Sequence, residues 1–380
     1  MMLKRQRVRR QNSIEAFFML LKAGLFGRTE RPDGLSLEHV DWEEVFQLSQ
    51  EQGVVGLVTD GIETLQGKQS SPLMPQKWSL TFVYTTLQTE QRNQAMNRFV
   101  ARLVRKLQRK GINMLLVKGQ EVALSYEKPL WRVSGDVDLL LSEEDYQKAK
   151  DYVQPLLSHS EPENEYKKHI GMMIDEWLVE LHGSLRCGFS SRVDKVLDNL
   201  YDETFSSGSY RTWMNGKVQI FLLGQENEVL YVFTHFLNHF FKGGVGVRQV
   251  CDWCRLLWLF RDSLDLNSLE SRLQDMGLMS EWRAFGVYAV MYLGMPEAAM
   301  PYFSGSEEWE KKAKLINSFI LETGNMGCNR KEQEKEVSFL KRKVKSSWQR
   351  ACDLAYISRI FPLDTVRFFP SILLNGIRQK

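Results

Sequence analysis

The sequence lacks long apolar runs, regularly spaced cysteines and internal repeats. No stretch of its 380 residues approaches the roughly 18 consecutive apolar residues of a membrane-spanning helix. The five cysteines are odd in number and irregularly spaced, which excludes a disulfide framework and favours a reducing compartment. With 10 prolines and 43% hydrophobic residues, extensive disorder and collagen-like repeats are excluded as well. What is present is the composition of a globular protein with a large core.

The N-terminal segment resembles a secretion signal only superficially. A basic stretch precedes residues 14–26, but Glu15 and Lys22 interrupt the apolar run and no small-residue cleavage site follows. The spacing instead predicts an amphipathic helix, whose apolar face is formed by Ile14, Phe17, Phe18 and Leu21. We therefore expect a cytoplasmic protein whose first helix packs on its own body.

The net charge of +3 is unevenly distributed along the chain. Five of the 50 lysines and arginines lie in residues 1–10 and five more in residues 341–350, so acidic residues outnumber basic ones elsewhere. Short blocks of like charge are typical of solvated faces or tails, and two of them do not make a nucleic-acid-binding domain. We do not expect nucleic acid as a partner. RNA binding by the basic ends is kept as a lesser alternative, which a salt-dependent association would test.

The periodicity of apolar residues divides the chain into three regions. Residues 1–110 and 225–380 are predicted to be helical, and residues 111–224 to mix helices with strands. The fold class predicted is α+β, a small mixed β-sheet flanked by helical regions. The longest helix is predicted at about residues 80–109, with an apolar stripe expected in the core: Leu80, Val83, Tyr84, Leu87, Met96, Phe99, Val100, Leu103 and Leu107.

Short apolar runs in the middle region predict the strands of the sheet. These strands are expected at about residues 112–117, 137–141, 168–174, 177–185 and 217–223. Helices are predicted around them and after them, at about residues 120–126, 143–157, 229–240 and 247–260. A charged stretch at residues 331–336 is the best candidate for a mobile connection.

The most informative motif is the pair Asp136 and Asp138 at the start of an apolar strand. Because side chains alternate along a strand, both carboxylates point to one face. Like charges held this close are unfavourable unless a cation neutralises them, and Mg²⁺ bound by carboxylates and substrate phosphates is the usual solution. An Asp-X-Asp pair by itself also occurs in turns and calcium loops, so its surroundings decide.

Those surroundings suit the binding of a nucleoside triphosphate. Gly119 follows a predicted strand and lets backbone amides approach a phosphate, while Lys118 and Arg132 are cations nearby in sequence. A third carboxylate, Glu180, lies in an otherwise apolar strand where an unpartnered charge would be costly. His182 follows two residues later and should share its face. If the two strands are neighbours, Glu180 completes a carboxylate triad.

This order of motifs resembles the polymerase-β-type nucleotidyltransferase superfamily. It is more narrowly similar to an uncharacterised bacterial nucleotidyltransferase family with a lysine-glycine, arginine, glycine-aspartate-X-aspartate and glutamate-leucine-histidine series. The resemblance covers roughly residues 80–260 and extends to a further group of residues. The matching positions here are Lys118-Gly119, Arg132, Gly135-Asp136-Val137-Asp138, Glu180-Leu181-His182, then His235, His239, Arg248 and Asp252.

The resemblance implies a Mg²⁺-dependent enzyme that transfers a nucleoside monophosphate from an NTP to an acceptor hydroxyl and releases pyrophosphate. Asp136, Asp138 and Glu180 would bind two Mg²⁺ ions and carry catalysis. Binding of the nucleotide and its cofactor metal would involve Lys118, Gly119, Arg132, Gly135 and His182. The chain departs from the superfamily in one respect, because Gln120 stands where a serine usually follows the glycine, and Gly119 lies further from Asp136 than is common.

The acceptor and the oligomeric state are not specified by these motifs. A sugar phosphate, an antibiotic, a protein hydroxyl and an RNA end all fit the same carboxylate chemistry. The competing hypothesis is a non-catalytic binding or scaffold protein on a degenerate nucleotidyltransferase fold. The two hypotheses differ in metal linkage, since only an active site requires both Mg²⁺ and the carboxylates to bind NTP.

Three other features are interpreted mainly as structural. His235 and His239 lie one helical turn apart and either face the substrate or form structural polar contacts. Cys251 and Cys254 fall inside a predicted helix and are expected to be a buried, inert pair. The aromatic segment 361–377 is expected to pack on the helical body, with interfacial membrane contact as the alternative.

Overall fold

Helices form the N-terminal region of the chain. The computed structural model describes residues 2–68, 71–324 and 339–368. The first four helices are α1 (Met2–Phe26), α2 (Trp42–Glu51), α3 (Val55–Gln66) and α4 (Gln76–Gln108). Asp41 accepts hydrogen bonds from the first backbone amides of α2, the usual N-cap arrangement. The first helix buries Phe17, Phe18 and Leu21 against the body of the protein, as its spacing predicted, and it buries Leu20 as well.

A mixed seven-stranded sheet occupies the middle of the chain. Its strands are β1 (Met114–Val117), β2 (Asp136–Leu141), β3 (Leu157–Ser160), β4 (His169–Ile174), β5 (Trp177–His182), β6 (Arg211–Asn215) and β7 (Val218–Leu222). The spatial order is β3-β4-β5-β2-β1-β7-β6. The β2–β5 and β1–β7 pairs are parallel, and the other pairs are antiparallel. Helices α5 (Gly119–Ala123), α6 (Glu143–Val153) and α7 (Ser191–Ser207) connect the strands.

The described C-terminal part is helical, so the predicted α+β class is confirmed. Its helices are α8 (Gln225–Phe241), α9 (Val247–Phe260), α10 (Leu266–Met276), α11 (Met279–Leu293), α12 (Glu307–Thr323) and α13 (Phe339–Ile357). Aromatic side chains dominate their packing: Trp253 and Trp282 meet edge to face with ring centroids 4.7 Å apart. Both tryptophans are fully buried.

The two faces of the sheet pack against different cores. Val137, Leu139 and Leu141 of β2 point toward α4 and join a core that includes Met96 and Phe99. Leu140 points to the opposite face and joins the larger core formed with the helical regions. Asp136 and Asp138 have the same parity as Leu140, so the sheet directs both carboxylates toward the face on which α8 and α9 lie.

The five predicted strands are all present, and two more were missed. β3 and β6 are the two edge strands of the sheet. Edge strands have solvent on one side and need no continuous apolar run, so their sequences carry little pattern. The helix predicted at 143–157 ends earlier, at Val153. Pro155 follows in a short 3₁₀ turn, because proline has no N–H to continue an α-helix.

The prediction that the whole apolar stripe of α4 is buried is wrong for its N-terminal half. Leu80 and Tyr84 are 61% and 64% exposed, and Val83 and Leu87 are also exposed. This half of the helix instead buries Phe82, which packs edge to face on Phe46 of α2. The C-terminal half, from Met96 to Leu107, is buried as predicted.

The sequence analysis made predictions for two C-terminal segments, residues 331–336 and the aromatic segment 361–377. Residues 331–336 lie outside the described residues. In the aromatic segment, Phe361 and Phe368 are buried against Phe241 of α8, so its described part packs on the helical body. Residues 369–377 lie outside the description. Among the helices that are described, none is long and apolar enough to cross a membrane.

Helices α1 and α3 cross at unusually close range. A Cβ atom added to Gly61 of α3 would overlap the carbonyl oxygen of Leu20 in α1. A Cβ atom on Gly24 of α1 would likewise overlap the carbonyl oxygen of Leu57 in α3. Both obstacles are backbone atoms, which cannot rotate away. The helical N-terminal region therefore requires glycine at these two positions.

We predict that Gly61→Ala lowers the free energy of unfolding by about 3 kcal/mol or more, because overpacking against backbone forces the helices apart. Thermal and urea unfolding measure this change. Gly67→Ala is the matched control, since an added Cβ there meets only ordinary contacts, 3.4 Å from Glu63 O. The control should be neutral or slightly stabilising. Equal stability of both variants would contradict the close crossing.

Candidate active site

The register of β2 and β5 brings three carboxylates together. Asp138 lies directly opposite Glu180 in this parallel pair, and Asp136 shares the face of Asp138. Carboxylate oxygens of all three residues lie within 4.8 Å of one another. The structure therefore assembles the predicted triad on one face of the sheet. The structure leaves the chemical roles of the three residues as predictions.

Asp138 lies at the centre of the group and accepts two strong hydrogen bonds. Its Oδ1 lies 2.8 Å from Lys118 Nζ and 2.8 Å from His182 Nε2. Burial acts against a charged amine, but the charge of Asp138 raises the pKa of Lys118 well above its ordinary value. Lys118, predicted to bind phosphate, places its ammonium on a carboxylate of the triad.

Glu180 is held by two histidines. His169 Nε2 lies 3.0 Å from Glu180 Oε2, and His182 Nε2 lies 3.5 Å from the same oxygen. Burial acts against the charge of Glu180, but the histidine hydrogen bonds and Lys118 hold the pKa of this carboxyl well below its usual range. Glu180 is therefore a carboxylate throughout the physiological pH range and a weak base.

Electrostatic repulsion within the triad raises the pKa of Asp136. The negative charge of Asp138, followed by burial, raises the pKa of Asp136 to about 6. Lys118 and Arg248 oppose this effect without cancelling it. The three carboxylates thus carry more negative charge than their neighbours neutralise.

The turn between β1 and α5 places Lys118 and Gly119 beside the triad. Lys118 has a positive φ of 56°, which is unusual for a residue with a side chain. Gly119 is buried, and a Cβ atom there would lie 3.3 Å from Asp136 O at a positive φ, so glycine is required. The following Gln120 side chain contacts Met96 of α4 and points away from the carboxylates. No side chain hydroxyl replaces the serine of the superfamily pattern at this position.

Arg132 is fixed by an ion pair rather than left free. Its Nε and Nη2 donate to the two oxygens of Asp252 at 2.8 and 2.7 Å, a bidentate pair whose side chains are less than 10% exposed. Tyr126 donates a further hydrogen bond to Asp252. Arg132 Nη1 also donates to Ser134 Oγ at 3.0 Å, which positions the segment leading into β2. This network brings together the sequence motifs around residues 132 and 252.

Arg248 forms no ion pair within the described part of the chain. Its Nη1 donates to Val133 O at 2.6 Å. Its Nε is buried and has no hydrogen-bond partner among the described residues. Burial and the charge of Arg132 lower the pKa of Arg248, as expected for a guanidinium without a carboxylate partner.

A cleft of about 550 Å³ lies over the triad. Its floor is the sheet, and its walls come from α8 and α9. The lining includes every predicted site residue: Lys118, Gly119, Arg132, Gly135, Asp136, Asp138, Glu180 and His182. The volume falls in the ordinary range for small-molecule sites.

Helix α8 contributes a histidine pair to the cleft. His235 Nε2 and His239 Nε2 lie 3.2 Å apart, so one ring donates to the other. Burial lowers the pKa of His235 well below its ordinary value, and burial together with Lys242 lowers that of His239 to about 4. Both rings are therefore neutral at pH 7 and face the cleft. The cysteine pair predicted to be inert, Cys251 and Cys254, is buried and unbridged in α9.

Several cleft residues were not singled out by sequence reasoning, and they include two lysines and a tyrosine. Lys167, Tyr231 and Lys242 line the cleft, and Lys118 Nζ lies 5.5 Å from the centre of the Tyr231 ring. Lys167 precedes β4, and Lys242 ends α8. A lysine before a strand or after a helix has no motif of its own, so only the folded structure could locate them.

The donor set fits a hard divalent cation. Three carboxylates supply oxygen ligands within 4.8 Å of one another, the ligand type that Mg²⁺ prefers. The raised pKa of Asp136 reports uncompensated negative charge at the same place. An overlapping group of His169, Glu180 and His182 shares Glu180 with the triad.

Comparison with protein families gives a match over more than half of the chain. A family model described as an uncharacterised nucleotidyltransferase matches residues 38–294. The match extends from just before α2 to the end of α11 and contains every residue of the triad and its cleft. It confirms the family resemblance inferred from the motif series. Comparisons with curated proteins and with solved structures gave no match.

We predict that Asp136 lowers the stability of the metal-free protein as the pH rises. A carboxyl whose folded-state pKa is raised from 3.8 to about 6 favours folding at low pH, and this contribution is lost as the pH rises through about 6. Asp136→Asn should therefore gain stability relative to wild type between pH 4 and pH 7.5, by about 3 kcal/mol at most. Urea unfolding in the presence of a chelator measures the difference.

Asp151→Asn makes the same chemical change at an exposed position on α6 and serves as the control. Comparing the two variants with wild type removes the pH effects of all other groups. A difference between Asp136→Asn and wild type that stays constant across this pH range would show that the triad repulsion is absent.

Proposed function

The chain belongs to a family of uncharacterised nucleotidyltransferases, and on that premise we propose that it transfers a nucleoside monophosphate from an NTP to an acceptor hydroxyl. The observation that carries the proposal is the carboxylate triad on neighbouring parallel strands, with Asp138 directly opposite Glu180. The cleft above it is large enough for small-molecule substrates. A general role in nucleotidyl transfer follows from the family.

Asp136, Asp138 and Glu180 would hold the divalent cations, with Mg²⁺ as the proposed metal and two ions as the proposed number. Bound there, the ions would neutralise the triad and supply stabilisation of the charge on the transferring phosphoryl group. Lys118 Nζ lies 2.8 Å from Oδ1 of Asp138, a carboxylate that would also hold the metal. We propose that a metal ion held by Asp138 would compete with the ammonium, and that Lys118 would then pair with a phosphate of the nucleotide.

The triphosphate is proposed to lie at the Asp136 end of the cleft. Arg248 is half-buried at this end, and its Nε has no hydrogen-bond partner among the described residues. Its guanidinium therefore has donors to offer a phosphate. Arg132 is already bidentate with Asp252, and its proposed role is to position the β2 entry and add positive charge. Gly119 lets the backbone approach the phosphates closely.

Glu180 is proposed to orient the acceptor. Its low pKa makes it a strong hydrogen-bond acceptor and a weak base, so it would align the hydroxyl rather than hold its proton. The acceptor oxygen attacks the α-phosphorus, forming an oxygen–phosphorus bond. The bond from that phosphorus to the bridging oxygen breaks, pyrophosphate leaves with the electron pair, and the hydroxyl proton passes to solvent. Positioning and electrostatics supply most of the catalysis in such a transfer.

We predict metal-dependent nucleotide binding that requires the triad. Calorimetric titration of ATP, GTP, CTP and UTP, each with and without Mg²⁺, should show at least one NTP that binds about tenfold or more tightly with the metal. The variant Asp136→Asn, Asp138→Asn should lose this Mg²⁺-dependent gain, because the oxygen ligands are removed while the shape is kept. Release of labelled pyrophosphate in the presence of acceptor should fall in parallel.

Asp151→Asn is again the control and should bind as the wild type does. Equal binding with and without Mg²⁺, or wild-type binding by the double variant, would contradict the proposal. Absence of nucleotide binding by the wild type would favour a scaffold role, in which the same fold has lost its substrate.

A further inference from the structure

Strand register orders the groups along the floor of the cleft. Along β2, Asp136 comes first and is followed by Asp138, which lies opposite Glu180 of β5. Leu140 comes next on the same face and lies opposite His182. His169 is directly opposite His182 on β4. At about 3.3 Å per residue along β2, the distance from Asp136 to the level of His182 is about 13 Å. The floor of the cleft therefore has two ends, with the triad between them.

The two ends carry different cations. Arg132 and Arg248 interact electrostatically with Asp136 and mark the first end. Lys167 lies two residues before His169, the first residue of β4. Its carbonyl oxygen accepts a hydrogen bond from Ser184 Oγ at 2.7 Å. Lys242, at the end of α8, interacts electrostatically with Lys167. Both lysines line the same cleft and mark its second end.

Lys167 and Lys242 form no ion pair among the described residues. The nearby carboxylate Asp194 already accepts hydrogen bonds from the backbone amides of Cys187 and Gly188 and from Tyr166 Oη. Arg186, also at this end, is neutralised by a bidentate pair with Asp198. Burial first, and then the charge of Lys167, lowers the pKa of Lys242 to about 8. The two lysines are thus half-buried, line the same cleft and repel each other, a costly arrangement unless an anion joins them.

We infer that the second end of the cleft binds an anionic group of the acceptor, so that the acceptor is a small hydroxyl compound bearing a phosphate or a carboxylate. This inference rests on the proposed function, in which the triphosphate takes the first end and Glu180 orients the acceptor. Strand β5, which carries Glu180, lies between β4, which Lys167 precedes, and β2, which carries Asp138, so an acceptor held by the lysines can present its hydroxyl at the triad. The neutral pair His235 and His239 adds hydrogen-bonding capacity without adding charge.

The same charges exclude part of the acceptor range. A polycationic acceptor, such as an amine-rich antibiotic, would be repelled by Lys167 and Lys242. The cleft volume of about 550 Å³ suits a small molecule rather than a polymer. Of the acceptor types compatible with the carboxylate chemistry, an anionic small molecule fits this end of the cleft best.

The experiment uses inorganic phosphate as the probe, titrated into the full chain with its nucleotide site filled by Mg²⁺ and a non-hydrolysable NTP analogue. Wild type should bind phosphate. The variant Lys167→Gln, Lys242→Gln should bind phosphate about tenfold or more weakly, while its affinity for the Mg²⁺–NTP analogue changes by less than about threefold. Lys195→Gln removes an exposed lysine outside the cleft and should leave both affinities unchanged. Thermal unfolding of each variant checks that it is folded.

Three results would overturn the inference. The first is a wild-type protein that binds no phosphate. The second is a double variant that loses NTP affinity as much as phosphate affinity, since the lysines would then hold the triphosphate. Titration of succinate in place of phosphate distinguishes a carboxylate site from a phosphate site. Much tighter, steeply salt-dependent binding of a short 5′-phosphorylated RNA would also overturn it, by indicating a polymeric acceptor.

Failure of the proposed function gives a different pattern. If no NTP binds the wild type, phosphate is titrated into the nucleotide-free protein. Binding that the double lysine variant abolishes and Lys195→Gln preserves would support the anion site and overturn the transfer reaction alone. Absence of phosphate binding in that titration would overturn the anion site as well.

Discussion

Repulsion among three carboxylates is the constraint on which this site depends. Asp136, Asp138 and Glu180 are held within 4.8 Å by strand pairing that cannot relax without breaking the sheet. The turn between β1 and α5 places the ammonium of Lys118 on Asp138, and His169 of β4 and His182 of β5 form hydrogen bonds with the carboxylates. These contacts reduce the repulsion, yet Asp136 still has a pKa raised to about 6. A site of this kind is stable as a cation-binding site and costly as a purely structural feature.

The helical regions complete what the sheet begins. Helix α9 supplies Asp252, which fixes Arg132, and Arg248, whose charge faces Asp136. Helix α8 contributes Tyr231 and its histidine pair to the wall of the cleft, and Lys242 is its C-cap residue. Both helices are held in place by the aromatic core around Trp253 and Trp282. Along its floor the cleft is therefore cationic at each end and anionic in the middle, a charge pattern that suits the two anionic substrates and the metal site proposed above.

Local patterns sufficed to predict the α+β class, the five apolar strands and the pairing of Asp136 with Asp138 on one face. Strand alternation is a local rule, so it needs no knowledge of the fold. Contacts that depend on tertiary packing could not be predicted from these local patterns. The bond between Lys118 and Asp138, the burial of Gln120 against Met96 and the convergence of Lys167 with Lys242 all join distant segments. The exposed half of the α4 stripe shows the same limit, because an apolar period does not say which face has a neighbour.

The central claim is that the triad binds divalent metal ions together with the nucleotide, displacing Lys118 from Asp138. Anomalous diffraction at the manganese edge tests it most directly, using crystals grown with Mn²⁺ and a non-hydrolysable NTP analogue. We expect anomalous peaks in contact with Asp136 and Asp138, and Lys118 Nζ moved from Asp138 Oδ1 to a phosphate oxygen. Bound nucleotide with no peak at the triad, and Lys118 still 2.8 Å from Asp138, would contradict the account.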